Sequence, residues 1–523
     1  MRLIGTSIIV IGLLAAFGEI ADIAFPTARW FFETSRSVPW LHTQSGSGGF
    51  PWFGWLSVAV LTILGAWFLV RSFTRGPLNP VTRSRIRRFR QIKRGYYSLV
   101  ILILLGGVAA LDQVVVGKQA LAVQYQGRWL FPAFRPVALK NKDFDLTGVP
   151  PEAPVNYRKL KKFFQQNNTG KVILPLVPYD PTGDTLPPRS RALVENDGVY
   201  YETGSNKPYF GLAATYYDVD DAKIHIRRTL RNGVDCGPAD GWNPNGTPVY
   251  NADYLDGRLV KDHFSGEGEK ETFLQQKSSG LRAVKYHPSP PLPEEGNWLG
   301  TTSQGYDVLA YLYGGLQVNF KAALIYLPIV YLIGITVGMM MGYFGGWFDL
   351  AVQRVIEVFS NMPFLFVVII FSSMVPEQFK GLPIILTILI VFGWMGMTFL
   401  MRTAAYRDKE RDYIAAARVL GAGTPRILFR HLLPNTVAII VTVVPFTVSG
   451  LVFSLTSLDY LGFGLPPEYA TWGRLLNDGL SNLSAPWLVS STFVMLVGLL
   501  VVITFIGEAV REAFDPKKFT YYR

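Results

Sequence analysis

Long apolar runs separated by short polar connectors occupy most of the chain, and this pattern predicts membrane-spanning helices. Crossing about 30 Å of hydrocarbon takes roughly 20 mostly apolar residues in a helix. Eight segments meet that measure: about 3–24, 54–71, 97–116, 319–343, 353–375, 382–402, 436–458 and 487–508. The gap around Pro376 and Pro383 is short, so the fifth and sixth spans form a tight hairpin. Residues 117–318 break the pattern: they are rich in Pro, Gly, Asn and Tyr and hold no apolar run long enough to span. Within them the β-prone stretches Lys171–Val177, Val199–Tyr201 and Lys223–Arg227 alternate with turn signals such as Asn232-Gly233 and Asn245-Gly246. The predicted fold class is an all-α polytopic membrane protein of about eight transmembrane helices, with an inserted extracytoplasmic α+β or mainly β domain. The Pro-rich HPSPPLPEEG at 287–296 reads as a stiff tether returning to the membrane.

Composition agrees. Of 523 residues, 49% are hydrophobic and only 17% charged, whereas a soluble chain carries about a quarter charged residues. The net charge of +12 fits nucleic acid or an anionic membrane surface, and its distribution favours membrane topology. From Arg71 to Arg94 the chain has many basic residues and no acidic one, with hydrophobic spans close on both sides. Such a segment faces the cytoplasm. Counting spans outward, the 402–435 loop and the tail at 511–523 are then cytoplasmic and residues 117–318 external. The N-terminus starts like a signal peptide, but Glu19 and Asp22 follow without a clean small-x-small site, so an uncleaved first helix is expected. The single cysteine, Cys236, excludes an intrachain disulfide framework and a multi-Cys metal site. His42, His225, His263, His287 and His431 show no metal spacing, and His225 and His287 are expected to be ordinary surface residues.

The informative loop is RDYIAAARVLGAGTPRILFRHLLPN, residues 411–435. Tyr413, Ala416, Ala417 and Leu420 fall at i, i+3, i+4 and i+7, which predicts one face of a short helix. Gly421 and Gly423 end it. Thr424 suits an N-cap with Pro425 at the first helical position, so a second helix begins there, and Pro434 marks the approach of the next span. Arg411, Arg418, Arg426 and Arg430 fringe the resulting knob. The knob suits docking into a partner's groove; an amphipathic loop lying on lipid headgroups fits the same residues equally well.

The loop resembles the EAA loop of ABC importer permeases, whose pattern is Glu-Ala-Ala, three residues, Gly, then Leu-Pro. Ala415, Ala416, Ala417, Gly421 and Leu433-Pro434 occupy those places, with Ala415 where the family has Glu. LGTTSQGYDVLAYLYGG at 299–315 is similar to a segment of the dipeptide/oligopeptide branch. Thr302 stands there where Asp is usual, and Tyr306 and Tyr311 where Arg is. GYFGGWFDLAVQRVIEVFSNMP (342–363), TSLDYLGFGLPPEYATWGRLLNDG (456–479) and FIGEAVREAFDP (505–516) look close to the microcin C or Yej-type peptide permeases. The resemblance covers about 85–116 and 297–520, and leaves out the first two spans.

The resemblance implies a type I permease core in the bacterial inner membrane, importing peptides or peptide-like compounds. It implies a second permease subunit, two ATP-binding subunits and an extracytoplasmic peptide-binding protein as partners. The coupling-loop residues are then Arg411, Tyr413, Ala415, Ala416, Ala417, Arg418, Leu420, Gly421, Thr424, Pro425, His431 and Pro434. No GxxxxGK[ST] phosphate loop occurs, so no cofactor is expected on this chain, and ATP and Mg belong to the partners. The organisation predicted is two accessory helices in 1–71, a basic segment 72–96, a first core helix 97–116, the external domain 117–318, and a permease core 319–510. Gly334, Gly338 and Gly342 share one helix face and allow close approach of another helix, from this chain or another subunit. Asp349, Glu357 and Asp459 sit near membrane ends, where charge costs little, and form no proton-relay chain. Two rivals remain: an ion-coupled carrier, and a membrane-tethered sensor whose working part is the external domain.

Overall fold

A computed structural model describes residues 2–26, 30–32, 50–74, 80–135, 139–144, 151–186, 190–202, 208–217, 224–266, 270–274, 280–284, 288–291, 293, 296–376, 379–483 and 485–514. His42, His287 and the tail from 515 lie outside these residues. The chain forms two compact units, one of residues 1–184, 294–296 and 307–523, the other of 185–293 and 297–306.

The first unit is helical. In chain order it contains α1 (Arg2–Ala21), α2 (Trp52–Thr74), α3 (Pro80–Gln91) and α4 (Lys93–Ala110). Six helices among the described residues are long and apolar enough to cross a membrane. They comprise α2, α4, α7 (Val308–Phe344), α10 (Leu382–Asp408), α12 (Thr424–Tyr460) and, after the short α13 (Trp472–Ser481), α14 (Pro486–Phe514). In α1 the apolar stretch Gly5–Ala21 is shorter. The expected continuous span at 353–375 is instead two helices, α8 (Gly346–Ser360) and α9 (Phe364–Met374), bent by 79°. Pro363 sits at the break with φ −61° and ψ 107°. Its ring removes a backbone donor and disfavours helix in the residue before it. The start of α7 also differs from expectation. Asp307 caps it by accepting from Ala310 N at 2.8 Å, so the helix begins well before residue 319.

The inserted stretch divides. Residues 117–184 belong with the helices, and there β1 (Ala122–Tyr125), β2 (Arg128–Leu130), α5 (Tyr157–Asn167) and β3 (Gly170–Ile173) enclose a cluster of Val123, Phe144, Leu160 and Phe164. Strand order is β2-β1-β3. Asn156 caps α5 by accepting from the backbone N–H groups of Arg158 and Lys159.

The second unit is an antiparallel eight-stranded sheet. Its strands are β4 (Ser190–Asn196), β5 (Val199–Glu202), β6 (Gly211–Tyr216), β7 (Ile224–Arg231), β8 (Val234–Trp242), β9 (Pro248–Leu255), β10 (Arg258–Phe264) and, after the short α6 (Lys270–Leu274), β11 (Arg282–Val284). The order is β10-β9-β8-β7-β6-β11-β4-β5. Asn232 and Gly233, with φ 52° and 78°, make the β7–β8 turn that the sequence signals. His225 is not the expected surface residue: it is 1% exposed. Its Nε2 donates to the Phe273 carbonyl at 3.1 Å, and its Nδ1 lies 3.5 Å from the Thr215 hydroxyl. Burial pushes its pKa down and keeps the ring neutral.

Candidate functional site

The loop joining α10 to α12 is anchored before it turns. At the end of α10 the Asp408 carboxylate is buried and takes ion pairs from Arg407 at 3.0 Å and Arg411 at 3.1 Å. The chain then forms α11 (Asp412–Val419). Gly421, at φ +76°, ends it. Gly421 N–H donates to the Arg418 carbonyl at 2.9 Å, and Ala422 N–H to the Ala417 carbonyl at 3.0 Å. Those two bonds form a Schellman motif, whose left-handed position favours glycine. A Cβ at Gly421 would meet nothing within 4 Å, so only the backbone conformation selects this residue.

The second half departs from expectation in two ways. The N-cap is Gly423, and Thr424 is already helical, with Pro425 in the first turn. Glycine serves here because an N-cap needs extended φ/ψ more than a side chain when the N–H groups of the first turn reach solvent. This helix also runs on into the next span as α12, through a π-helical segment at Ile427–Leu432. Pro434 follows at once. In a regular helix its ring would press on the carbonyl four residues back, and the wider turn before it relieves that crowding.

The apolar face also differs from the one the spacing frames. Ile414, Ile427, Leu428 and Leu432 are buried in a cluster with Met339, Met401 and Ala405, and Ala417 is buried too. Ala416 and Leu420 point outward instead, as does Ala415. Val419 and Leu420 are 87% and 86% exposed. Two apolar faces compete on a helix of eight residues, and a single i, i+3, i+4, i+7 frame captures only one. Tyr413 and His431 are half-buried. Arg418 lies over the Tyr343 ring at 5.1 Å, tying α11 to the end of α7, while Arg426 and Arg430 are exposed.

Helices α7 and α10 hold this loop. A Cβ at Gly334 would stand 2.8 Å from Met397 Cβ, one at Gly338 2.8 Å from Met401 Cβ, and one at Gly342 2.7 Å from Ala405 Cβ. The three glycines therefore seat α7 on α10 of the same chain. Asp349 of α8 and Arg402 of α10 form a two-pronged pair at 2.5 and 2.6 Å. Asp349 and Asp459 are buried rather than at open membrane ends. Partners offset the cost of that burial: the Arg402 guanidinium for Asp349, and Leu465 N–H at 2.6 Å for Asp459. The Asp349–Arg402 pair, 53 residues apart in the chain, carries no spacing signal that sequence reasoning could find, whereas Asp408 and Arg411 stand at i and i+3. No cluster of His, Cys, Asp or Glu able to hold a metal occurs among the described residues.

Known proteins are similar to this chain in sequence. The profile of binding-protein-dependent transport system inner membrane components matches residues 334–520, which include the glycine face and the whole loop. The inner membrane ABC transporter permease protein YejE of Escherichia coli K12 is 31% identical over 441 residues, 84% of this chain and 98% of that protein. The peptidoglycan transport system permease protein YejE of Agrobacterium fabrum is 42% identical over 222 residues, 42% of this chain; the match spans 58% of that relative. The dipeptide transport system permease protein DppC of Bacillus subtilis is 33% identical over 229 residues, 43% of this chain and 70% of that protein. With its spanning helices, glycine-seated core and loop of the family pattern, this chain belongs to the peptide-type ABC transporter permeases of the bacterial inner membrane.

Proposed function

We propose that the chain imports peptides or peptide-like compounds by alternating access, driven by ATP hydrolysis in two partner subunits. The observation that carries this reading is α11: a helix fixed at both ends, with its inner face in the core and Val419 and Leu420 turned out. An exposed apolar tip on a braced helix suits a groove in a partner, and motion of the partner would reach α7 and α10 through Ile414, Arg418 and Ile427. The names of the relatives, which refer to peptidoglycan, dipeptide and oligopeptide transport, support a peptide-like cargo. On this reading a second permease subunit completes the pathway and an extracytoplasmic peptide-binding protein delivers cargo. ATP and Mg stay on the ATP-binding subunits. The loop 402–435, the basic 72–96 segment and the tail 511–523 face the cytoplasm, and residues 117–318 face outward. The helices within 1–71 are accessory.

Three variants test the loop by cargo uptake and by co-purification of the ATP-binding subunits. Gly421→Val forces a β-branched residue into a left-handed conformation that costs about 1–2 kcal/mol; uptake should fall on the order of tenfold while membrane insertion is unchanged. Leu420→Asp puts a charge on the outward tip and should release the ATP-binding subunits. Ala415→Glu, at an exposed position carrying the family's usual residue, should be tolerated. Normal uptake in both Gly421→Val and Leu420→Asp would reduce the loop to a lipid-facing connector.

A further inference from the structure

Helix α3 has a charge pattern that coupling does not use. Arg83, Arg87 and Arg90 recur at i, i+4 and i+7, and all three are exposed. The opposite side packs inward: Arg85 and Phe89 are half-buried, and the Arg85 guanidinium lies over the Phe514 ring of α14 at 4.8 Å. The acidic residues nearby are taken by another cation, since Arg94 pairs with Glu508 at 3.5 Å and Glu512 at 3.6 Å. Arg83, Arg87 and Arg90 have no ion pair among the described residues. Between them the outer face carries Ile86, 43% exposed, and Val81, 55% exposed, lies at the start of the helix.

The flanking spans fix where this stripe lies. Only residues 75–79 separate α2 from α3, a reach of at most about 18 Å. At the other end a single residue, Ile92, at φ −80° and ψ 86°, separates α3 from α4. A helix held this closely between two spans stays at the level of the lipid headgroups. An arginine stripe with an apolar residue set into it suits phosphate-bearing headgroups, with Ile86 reaching toward the acyl boundary.

We propose that the Arg83–Arg87–Arg90 face of α3 is a binding surface for anionic phospholipid. Its occupant is the headgroup layer of the leaflet that the basic segment faces. The surface stands whether or not the α11 loop couples to an ATP-binding subunit.

The probe is phosphatidylglycerol against phosphatidylcholine, counted by native mass spectrometry on the full chain released from detergent. Each arginine near a charged surface contributes about a fivefold gain in affinity, so Arg83→Gln/Arg87→Gln/Arg90→Gln should weaken phosphatidylglycerol retention on the order of a hundredfold. Phosphatidylcholine retention should not change. The Lys version of the triple variant should keep the preference, and high salt should erode it. Lys159→Gln/Lys161→Gln/Lys162→Gln on α5 removes the same charge elsewhere and should leave retention at the wild-type level. Should the triple Gln variant not fold, Arg87→Gln alone should show the fivefold drop. Undiminished phosphatidylglycerol retention in the stripe variants overturns the proposal, as does an equal loss in the α5 control. Loss of a co-purifying partner subunit with lipid affinity intact also overturns it, and assigns the stripe to a protein.

Discussion

Two helix pairs in this protein are joined by the same device. In α1 and α2 a Cβ at Gly5 would lie 3.0 Å from the Gly65 carbonyl, and one at Gly65 would lie 2.8 Å from Ile9 Cγ1. In α7 and α10 the seam runs through Gly334, Gly338 and Gly342. Both exploit the missing side chain to bring backbones together, which lipid alone does not drive. The pairs differ in what is attached. The spanning window of α2 is 17% buried, against 39% for α7 and for α10. The first pair has its own small cluster of Ala15, Phe32 and Val58. The second carries the Asp349–Arg402 pair and flows directly into α11. A glycine seam therefore identifies contact between helices, and function must be read from what the seam holds in place.

Filling each seam should affect the two pairs unequally. A Cβ at Gly338 would collide with the Thr398 carbonyl, which is backbone, whereas one at Gly12 of α1 meets the end of the Thr62 side chain. Gly338→Leu should cost several kcal/mol, on the order of 3, and reduce folded protein sharply. Gly12→Ala should cost about 1 kcal/mol, because Thr62 can change rotamer only by giving up the bonds its hydroxyl donates to the Val58 and Ala59 carbonyls. Thermal unfolding in micelles measures both. Equal losses would mean the two seams are equally rigid.

A smaller effect tests what the second seam carries. Asp349→Ala leaves the Arg402 guanidinium without its carboxylate at a partly buried site. Arg402 is 28% exposed at its side chain, so solvent offsets part of the penalty and a loss of about 2 kcal/mol is expected. Asp349→Ala/Arg402→Met should recover part of that loss. If the double variant is worse than the single one, the pair contributes more than the sum of its charges.

Much of this was legible in the sequence, because a span is a statement about length and polarity alone. Six of the eight apolar segments are long helices, and Asn232-Gly233 makes the turn its composition requires. Gly421 has the positive φ that the loop pattern implies. What sequence could not supply were distinctions that depend on a neighbour. The bend at Pro363 needs the geometry of both half-helices. The choice between Ile414 and Leu420 as the inward residue depends on where α10 and α12 lie. His225 is interior because α6 covers it with the Phe273 carbonyl, a contact 48 residues away in the chain. Resemblance marked Ala415, Ala416 and Gly421, and the structure then divided them by role: two outward side chains and one backbone turn.

Removing the first seam altogether tests whether it belongs to the core. Deleting residues 1–70, while keeping the basic segment from Arg71, removes α1 and most of α2 from the chain. It also removes contacts with the rest of the helical unit. Gln113 Nε2 loses the Ala24 carbonyl at 2.5 Å, the Phe134 carbonyl loses Ala24 N–H at 2.9 Å, and Lys321 loses the Trp30 ring at 4.2 Å. Gln113 and Lys321 line a cavity of 380 Å³ together with Asp112, Lys118 and Glu468. Water entering that polar cavity can take over the lost bonds, so the full penalty of a buried unsatisfied group does not arise. The truncated chain should therefore insert, bind its partner subunits and unfold only a few degrees lower, a loss of about 1–2 kcal/mol. Co-purification with the partner subunits and a melting curve decide the matter. Loss of assembly in a chain that still inserts would show that the two seams belong to one core, and the contrast between them would fall.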